Sequence, residues 1–387
     1  MLQGTGSDVG KTVLVAGLCR LARNKGLKVR PFKPQNMSNN AAVAADGGEI
    51  GRAQWLQALA CGVPASVHMN PVLLKPQSEN GSQVIVQGKL AGSAKGRDYQ
   101  ALKPKLMAAV LDSFARVSDG AALVVVEGAG SPAEINLRAG DIANMGFATA
   151  ADVPVLLVGD IDRGGVIASL VGTHAILPEA DRAMIAGYII NKFRGDISLF
   201  GEGINAIGSF TGWRCFGVVP WLKAASALPA EDSVALLRMS RSTGSGKPVI
   251  AILELDHIAN FDDFDPLVQE SEVEVVFVKA GKRIPDQSTL VIIPGSKTTI
   301  SDLERLRHYG WDKQIDRHVA GGGHVLGICG GFQMLGKVVA DLRGIEGPAR
   351  TVTGLGLLDV ETEMLPEKTV RLSAASSALF ESALEGY

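Results

Sequence analysis

Short apolar runs alternate with segments of helical periodicity over most of this 387-residue chain. Most runs are continuous stretches of Val, Ile and Leu that end at Gly, Asp or Pro, which is typical of strands buried on both faces of a parallel sheet. The alternation predicts an α/β fold in which helices cover parallel sheets. Strands are predicted at 28–32, 122–126, 153–158, 186–190, 249–255, 273–278, 290–293 and 324–328.

The length predicts two to three domains at about 150 residues per domain. One polar stretch, 238–248, has no apolar period and lies between strand-like segments, which is typical of a linker. We therefore expect a first domain over 1–237, a linker over 238–248 and a second domain over 249–387.

The overall charge is close to balanced, with 38 Lys and Arg against 40 Asp and Glu. With a formal net charge of -2, the protein as a whole does not attract nucleic acid or an anionic membrane.

No apolar run approaches the roughly 18 residues of a membrane helix, and Asp8 and Lys11 interrupt the segment where a secretory signal would be apolar. Four cysteines without metal-ligand spacing favour a reducing cytoplasm. We expect a cytoplasmic protein without nucleic-acid or membrane partners, and a homo-oligomer is left open.

Residues 4–12 read Gly-Thr-Gly-Ser-Asp-Val-Gly-Lys-Thr and are followed by an apolar helical pattern. A loop that opens a helix turns backbone N–H groups toward an anion, and an ordinary glycine-rich turn is the weaker alternative. Lys11 is expected to reach the terminal phosphates and the Thr12 hydroxyl to bind Mg²⁺. The standard loop has glycine where this chain has Thr5, and the glycine stands one residue earlier. The predicted ATP-binding residues here are Thr5, Gly6, Ser7, Asp8, Val9, Gly10, Lys11 and Thr12.

Two further strand ends carry polar residues that suit a nucleotide site. Glu127 follows a predicted strand and precedes Gly128, and we interpret it as the carboxylate on the metal side rather than as the point where a strand meets water. Asn191 and Lys192 follow another strand and are added to the ATP-binding residues, although they suit a simple loop start equally well.

A cysteine elbow is predicted in the second domain, where 324–336 reads as strand, sharp turn and helix. Gly327 and Gly331 flank Cys329 as glycines flank the nucleophile of a G-x-S-x-G elbow, and thiols at helix N-termini are stabilised as thiolates. Cys329 is the predicted catalytic nucleophile, which attacks the side-chain amide of glutamine to give a thioester and ammonia. The other three cysteines are interpreted as structural. Glutamine-binding and oxyanion residues are predicted at Gly295, Ser296, Gly330 and Gln333.

The chain resembles the cobyric acid synthase family, the glutamine-dependent amide ligases of cobalamin biosynthesis. The segments that carry the resemblance are 3–12, 32–40, 125–137, 159–165, 191–196, 294–297 and 327–336. It implies a P-loop synthetase domain like dethiobiotin synthetase, followed by a class I glutamine amidotransferase α/β domain that is incomplete here. It also implies ATP and Mg²⁺ as cofactors.

The resemblance implies amidation of the b, d, e and g carboxylates of adenosylcobyrinic acid a,c-diamide to give adenosylcobyric acid, with ammonia from glutamine. Phosphorylation turns each carboxylate into an acyl donor. Polar loops after predicted strands suit a polycarboxylate, because open α/β sheets bind ligands there. The predicted substrate-binding residues are Lys33, Gln35, Asn36, Asp160, Asp162 and Arg163.

The chain departs from the family pattern after Cys329. All six histidines precede that cysteine, whereas a class I glutaminase takes its base from a histidine beyond it. We expect a chain truncated at its C-terminus and slightly at its N-terminus, which hydrolyses glutamine slowly while its ATP site survives. Two alternatives are a simpler ligase like dethiobiotin synthetase, which needs no residues 249–387, and a partition-type P-loop ATPase switch with a degenerate glutaminase-like domain.

Overall fold

The computed structural model describes residues 1–78, 81–229, 246–366, 373–376 and 383–386. The chain divides into two compact units. Unit 1 comprises Met1–Lys75, Asn80–Leu228 and Val370–Tyr387, and unit 2 comprises Pro76–Glu79 and Pro229–Thr369. Within the described ranges, no helix has the length and apolar character needed to cross a membrane.

The part of the chain before residue 229 alternates strands and helices as expected. Its helices are α1 (Lys11–Asn24), α2 (Arg52–Cys61), α3 (Gly96–Ser118), α4 (Met145–Ala150), α5 (Val166–Ile176), α6 (Glu179–Ala183) and α7 (Gly201–Thr211). Its strands are β1 (Leu2–Gly4), β2 (Val29–Phe32), β3 (Gln35–Met37), β4 (Ala41–Val43), β5 (Glu49–Gly51), β6 (Val72–Ser78), β7 (Gly81–Val86), β8 (Lys89–Lys95), β9 (Leu123–Val126), β10 (Val155–Asp160), β11 (Ile185–Phe193) and β12 (Arg214–Pro220).

A parallel sheet forms the centre of unit 1. The strands β1, β10, β11 and β12 are neighbours in that order, and β2 pairs in parallel with β9. A parallel bridge between Leu2 and Glu127 joins the two groups, and the N–H of Gly128 donates to the carbonyl of Leu2 at 2.8 Å. The strand order is therefore β2-β9-β1-β10-β11-β12, which brings the carboxyl ends of β1, β2 and β9 to one edge.

Apolar side chains from α1 anchor the first helix on this sheet. Val15 and Cys19 of α1 are fully buried together with Val29 of β2 and Val158 of β10. On the β2 and β9 side, Phe32 lies in a cluster of aromatic rings whose centroids are 5.2 to 5.5 Å apart. These clusters fix the strands from which the loops of the site emerge.

A smaller sheet and a hairpin supplement the central sheet. The smaller sheet has the order β3-β6-β7-β8, in which β3 and β6 are parallel and β7 and β8 antiparallel. The hairpin β4–β5 leads directly into α2. None of these strands was predicted, because most of them lack continuous Val, Ile and Leu runs like those that marked most of the predicted strands.

Unit 2 contains a second parallel sheet, with the order β15-β13-β16-β18. Its helices are α8 (Asp265–Gln269), α9 (Thr299–His308), α10 (Trp311–Ala320) and α11 (Gly330–Leu335). Its strands are β13 (Val249–Leu253), β14 (Ile258–Ala259), β15 (Glu274–Val278), β16 (Ser288–Ile293), β17 (Gly295–Ser296), β18 (His324–Gly327), β19 (Val338–Asp341), β20 (Arg350–Thr353) and β21 (Glu361–Glu363).

Two short pairings complete unit 2. Strand β14 runs antiparallel to β17, and β19 lies between β20 and β21. The sheet core includes the fully buried residues Leu253, Val291 and Trp311. Near the end of the chain, the strands β22 (Ser373–Ala375) and β23 (Leu384–Gly386) form an antiparallel pair.

The α/β architecture predicted from the sequence is confirmed, and each of the eight predicted strands overlaps a strand of the structure. Strand β1 has three residues. The predicted linker 238–248 falls largely outside the described residues, since 238–245 are not described. The domain bounds of the sequence analysis stay a prediction.

Candidate functional site

The phosphate loop lies between β1 and α1, as predicted. Gly10 precedes α1 in a left-handed conformation with φ 92°, and the N–H of Thr5 donates to the carbonyl of Val158 at 3.0 Å. Glycine is required at position 4, because a Cβ there would lie 2.6 Å from the carbonyl oxygen of Gly6 and 2.9 Å from Lys11 Nζ. The departure from the standard loop therefore has a steric reason: the loop folds back over Gly4.

Lys11 is buried beneath the loop. Its Nζ donates to the carbonyl oxygens of Gly6 and Gly130, each at 3.3 Å, so it joins the phosphate loop to the loop after β9. Both hydrogen bonds are long for a charged donor, and a phosphate is a stronger acceptor than a carbonyl oxygen. The position of this ammonium group beside a helix N-terminus therefore fits phosphate binding.

Glu127 is the centre of a buried polar cluster at the ends of β1, β2 and β9. Its Oε1 accepts from Thr12 Oγ1 and from Lys33 Nζ, both at 2.8 Å, and its Oε2 accepts from Gln57 Nε2 at 2.5 Å. Glu127 is 1% exposed. The register that pairs Phe32 with Val126 sets Lys33 beside Glu127 at the two strand ends. The structure thus brings together Thr12 and Glu127, the two residues that the sequence assigned to the metal.

These side chains fit the ATP and Mg²⁺ that the resemblance implies. The Thr12 hydroxyl and the Glu127 carboxylate are hard oxygen ligands, which Mg²⁺ prefers together with water and phosphate oxygens. The residues from Asp8 to Thr12 present a loop and a helix N-terminus, the arrangement that binds the phosphates of a nucleotide. Thr12 and Glu127 would hold the metal ion, and Lys11 would hold the phosphates.

Asn191 and Lys192 contact the phosphate loop itself. Asn191 Nδ2 donates to the carbonyl of Val9 at 2.8 Å, and Lys192 Nζ donates to the carbonyl of Asp8 at 2.5 Å. Lys192 Nζ also pairs with Asp160 Oδ2 at 2.9 Å. These contacts give both residues a role in holding the loop, and direct binding of ATP by them stays a prediction.

The predicted substrate residues after β10 form ion pairs on the same side of the sheet. Arg163 Nη2 lies 2.5 Å from Asp8 Oδ2, while Asp162 Oδ1 lies 2.6 Å from Arg194 Nε. Asp160 is buried, whereas the side chains of Arg163 and Arg194 are more than half exposed. Asp160, Asp162 and Arg163 are thus placed next to the phosphate loop, and their contact with a corrinoid stays a prediction.

The other predicted substrate residues lie after β2 and on β3. Gln35 Oε1 accepts from the Tyr99 hydroxyl at 2.6 Å, and Asn36 Nδ2 donates to Gln54 Oε1 at 3.1 Å. Asn36 is 3% exposed, and Lys33 is held by Glu127. Corrinoid binding by Lys33, Gln35 and Asn36 stays a prediction, and the structure places Lys33 within the polar cluster of the metal side.

The cysteine elbow of unit 2 has the predicted form of strand, turn and helix. Cys329 lies between β18 and α11 with φ 50° and ψ -110°, and it is exposed. A positive φ at a residue other than glycine is sparsely populated and is typical of nucleophile elbows. The turn is held by the N–H of Ile328, which donates to the carbonyl of Ile293 at 3.0 Å.

The predicted oxyanion residues surround this elbow. A Cβ on Gly295 would lie 3.7 Å from the Cβ of Cys329, and a Cβ on Gly330 would lie 3.0 Å from the backbone nitrogen of Ser296. Gln333 Oε1 accepts from Thr299 Oγ1 at 3.2 Å. The structure therefore brings Gly295, Ser296, Gly330 and Gln333 to one place around Cys329, and their binding of glutamine stays a prediction.

Sequence reasoning missed three side chains that support these sites. Gln57 of α2 donates to Glu127, and Asn144 Oδ1 accepts from the N–H of Ala129 at 3.0 Å in the loop after β9. Asp302 of α9 accepts from the Ser296 hydroxyl at 2.6 Å. One of them could have been found from the sequence, because Gln57 is a polar residue three positions after Gln54 on a predicted helix.

Comparison with known proteins gives matches to both halves of the chain. Residues 1–235 match the model of a CobQ/CobB/MinD/ParA nucleotide binding domain, and residues 249–387 match that of a CobB/CobQ-like glutamine amidotransferase domain. The model that matches residues 1–235 also covers MinD and ParA, which are partition-type ATPases. The match of residues 249–387 to an amidotransferase domain therefore favours amidation over the ATPase switch.

Similar proteins from rhizobia cover the whole chain. The cobyric acid synthase of Sinorhizobium fredii is 73% identical over 388 residues, which are 100% of this chain and 80% of that protein. The cobyric acid synthase of Rhizobium johnstonii is 70% identical over 387 residues, which are 100% of this chain and 79% of that protein. That of Rhizobium meliloti is 70% identical over 388 residues, with coverages of 100% and 80%. The chain therefore belongs to the cobyric acid synthase family.

Proposed function

We propose that this protein catalyses ATP-dependent amidation of the b, d, e and g carboxylates of adenosylcobyrinic acid a,c-diamide. The nitrogen is ammonia, which glutamine hydrolysis at Cys329 supplies. The observation that carries the proposal is the presence in one chain of two sites, the Glu127 cluster beside a phosphate loop and the Cys329 elbow beside the Gly295–Ser296 turn. The rhizobial relatives named above carry the corresponding name over the full length of this chain.

In unit 1, the chain's own residues bind and orient the nucleotide. Lys11 and the loop N–H groups would hold phosphate oxygens, and Thr12 and Glu127 would hold Mg²⁺, which would neutralise part of the charge on the phosphates. Lys33, fixed at 2.8 Å from Glu127, sets a positive charge at the end of β2, and in this proposal the substrate carboxylate binds near that charge. A carboxylate accepts a phosphoryl group only when its own charge and that of the phosphates are offset.

In unit 2, the Cys329 thiolate attacks the side-chain carbonyl carbon of glutamine. The sulfur–carbon bond forms, the carbon–nitrogen bond breaks, and the amide nitrogen leaves as ammonia after it is protonated. Backbone N–H groups around Gly295, Ser296 and Gly330 are the proposed donors to the oxygen of the tetrahedral intermediate. Water then hydrolyses the thioester and gives glutamate.

The test incubates the chain with ATP, Mg²⁺ and adenosylcobyrinic acid a,c-diamide, with glutamine or ammonium in parallel. Product masses report how many carboxylates have become amides. Four amides with ammonium support the ligase activity, and four with glutamine support both sites. Product with ammonium alone supports the ligase site and counts against glutamine hydrolysis at Cys329. ATP turnover that does not respond to the corrinoid, with no mass change from either nitrogen source, contradicts the proposal.

A further inference from the structure

We propose that Asp302 and His257 form a positioning pair for glutamine in unit 2. In this proposal, Asp302 holds the Gly295–Ser296 strand against the Cys329 elbow, and His257 holds Asp302. The inference rests on the proposed hydrolysis of glutamine at Cys329, and it adds two residues that neither the motifs nor the family match assigned.

Asp302 joins the two short strands beside the elbow. Its Oδ2 accepts from the Ser296 hydroxyl of β17 at 2.6 Å and from the backbone N–H of His257, next to β14, at 3.3 Å. Its Oδ1 lies 3.0 Å from His257 Nδ1. Asp302 is fully buried, and a buried carboxylate is stable only where hydrogen bonds and a cation offset its loss of hydration.

The strand that Asp302 holds is adjacent to the thiol. Gly295 pairs with Ala259 and Ser296 with Ile258, so β17 is fixed on one side by β14. On its other side lies the elbow, where Gly330 packs against the backbone nitrogen of Ser296. Oxyanion donors act only within about 2.7 to 3.1 Å of the developing charge. A small displacement of β17 therefore changes glutamine binding without altering the thiol itself.

His257 faces Asp302 and supplies a cation when its ring is protonated. The carboxylate only accepts, so the Nδ1 atom of His257 is the donor of their hydrogen bond. This hydrogen bond raises the pKa of His257, and the charge of Asp256 adds to the rise, while partial burial and Arg305 oppose it. Arg305 itself is bonded to Asp256 at 2.7 Å. Protonated His257 and ionised Asp302 form a pair, and the positive charge is lost as pH rises through the pKa of His257.

Two alkylating reagents separate positioning from thiol reactivity. A chloroketone analogue of glutamine alkylates Cys329 only after it binds as glutamine does: the sulfur–carbon bond forms and chloride leaves. Iodoacetamide alkylates the same sulfur without that requirement. Both rates are measured on the full chain by mass spectrometry of the Cys329 peptide. We expect Asp302→Asn to lower the chloroketone rate about tenfold and to leave the iodoacetamide rate within about twofold.

Neighbouring substitutions provide the controls. Asp256→Asn removes a carboxylate that faces His257 without contacting Ser296, and at a pH well below the pKa of His257 we expect both of its rates to match the wild type. His257→Ala lowers the chloroketone rate, and His257→Asn, whose amide can donate to Asp302, restores part of it. In the wild type, the ratio of chloroketone to iodoacetamide rates falls as pH rises through the pKa of His257, and this fall is absent from His257→Asn.

The remaining outcomes contradict either the positioning pair or the proposed glutamine site. A wild-type chloroketone rate in Asp302→Asn overturns the positioning pair while the proposed function stands. Parallel losses of both rates in Asp302→Asn and His257→Ala, with lowered melting temperatures, overturn it as well, because they show a purely structural role. Failure of the wild-type chain to react with the chloroketone while iodoacetamide modifies Cys329 contradicts the proposed glutamine site itself.

Discussion

Lys33 is the residue whose removal tests the Glu127 cluster most directly. Its Nζ lies 2.8 Å from Glu127 Oε1, and the two side chains are 5% and 1% exposed. In Lys33→Met the carboxylate loses this cation and keeps the neutral donors Thr12 and Gln57. Breaking a buried ion pair from one side costs about 3 to 5 kcal/mol, because a charge stays buried without its partner.

The same reasoning predicts rescue by a second substitution. Lys33→Met together with Glu127→Gln removes both charges and keeps an amide that can bond to Thr12. Replacing both members of a buried pair is close to neutral in stability. A loss of 3 kcal/mol in a domain of this size lowers the melting temperature by about 10 °C, and we expect the double variant to regain most of it.

The assay is thermal unfolding of the full chain, followed by circular dichroism without nucleotide and at constant salt. Lys25→Met is the matched control, since Lys25 is exposed at the end of α1 and its loss is expected to change little. Equal melting temperatures for Lys33→Met and Lys25→Met would refute a cost of leaving Glu127 without its cation. An unpaired charge is ruled out as the cause if the double variant is no more stable than Lys33→Met.

Three further predictions concern both sites. Cys329→Ser is expected to abolish amidation with glutamine and to leave amidation with ammonium unchanged; equal losses with the two nitrogen sources, read from product masses, would contradict the assignment. Thr12→Val removes the hydroxyl that bonds to Glu127 and is proposed to bind Mg²⁺. We expect ATP turnover, measured by phosphate release, to slow by about a hundredfold or more. The free energy of unfolding, measured in urea, should fall by only about 1 kcal/mol. Because Asp302 raises the pKa of His257 above its ordinary 6.5, the pair stabilises the fold fully below pH 6.5 and less as pH rises through the raised pKa. The unfolding free energy of wild type minus that of Asp302→Asn should fall over that range, and a constant difference would count against it.

Most central strands and both glycine loops were predictable because their signals are local. Continuous apolar runs mark strands such as β9, β10, β13 and β16, and the residues of the phosphate loop and of the cysteine elbow are contiguous in the sequence. Strand β12 was not predicted, because Arg214 and Gly217 interrupt its apolar residues. The short strands β14 and β17 carry no such run, since each has two residues. Their pairing depends on tertiary contacts, which no local pattern encodes.

The partners of the predicted residues were harder to find than the residues themselves. Glu127 was found at a strand end, but its bonds to Lys33 and Gln57 join positions 94 and 70 residues away. The register of β2 and β9 explains the first contact, and the packing of α2 explains the second. Neither follows from spacing in the sequence. A carboxylate that ends a buried strand nevertheless requires partners, so a search for a lysine at the end of a neighbouring strand is a rule that the sequence alone supports.

The glycine at position 4 shows how a departure from a motif can be explained by sterics. The standard pattern has glycine where this chain has Thr5, and judged by pattern alone that counts against a phosphate loop. In the structure, Thr5 is held by hydrogen bonds to Val158, while the close approach of Gly6 and Lys11 occurs at position 4. In this chain the residue that needs the space is therefore the one that is glycine. A motif is therefore better tested by asking which backbone atom needs the space than by counting matching letters.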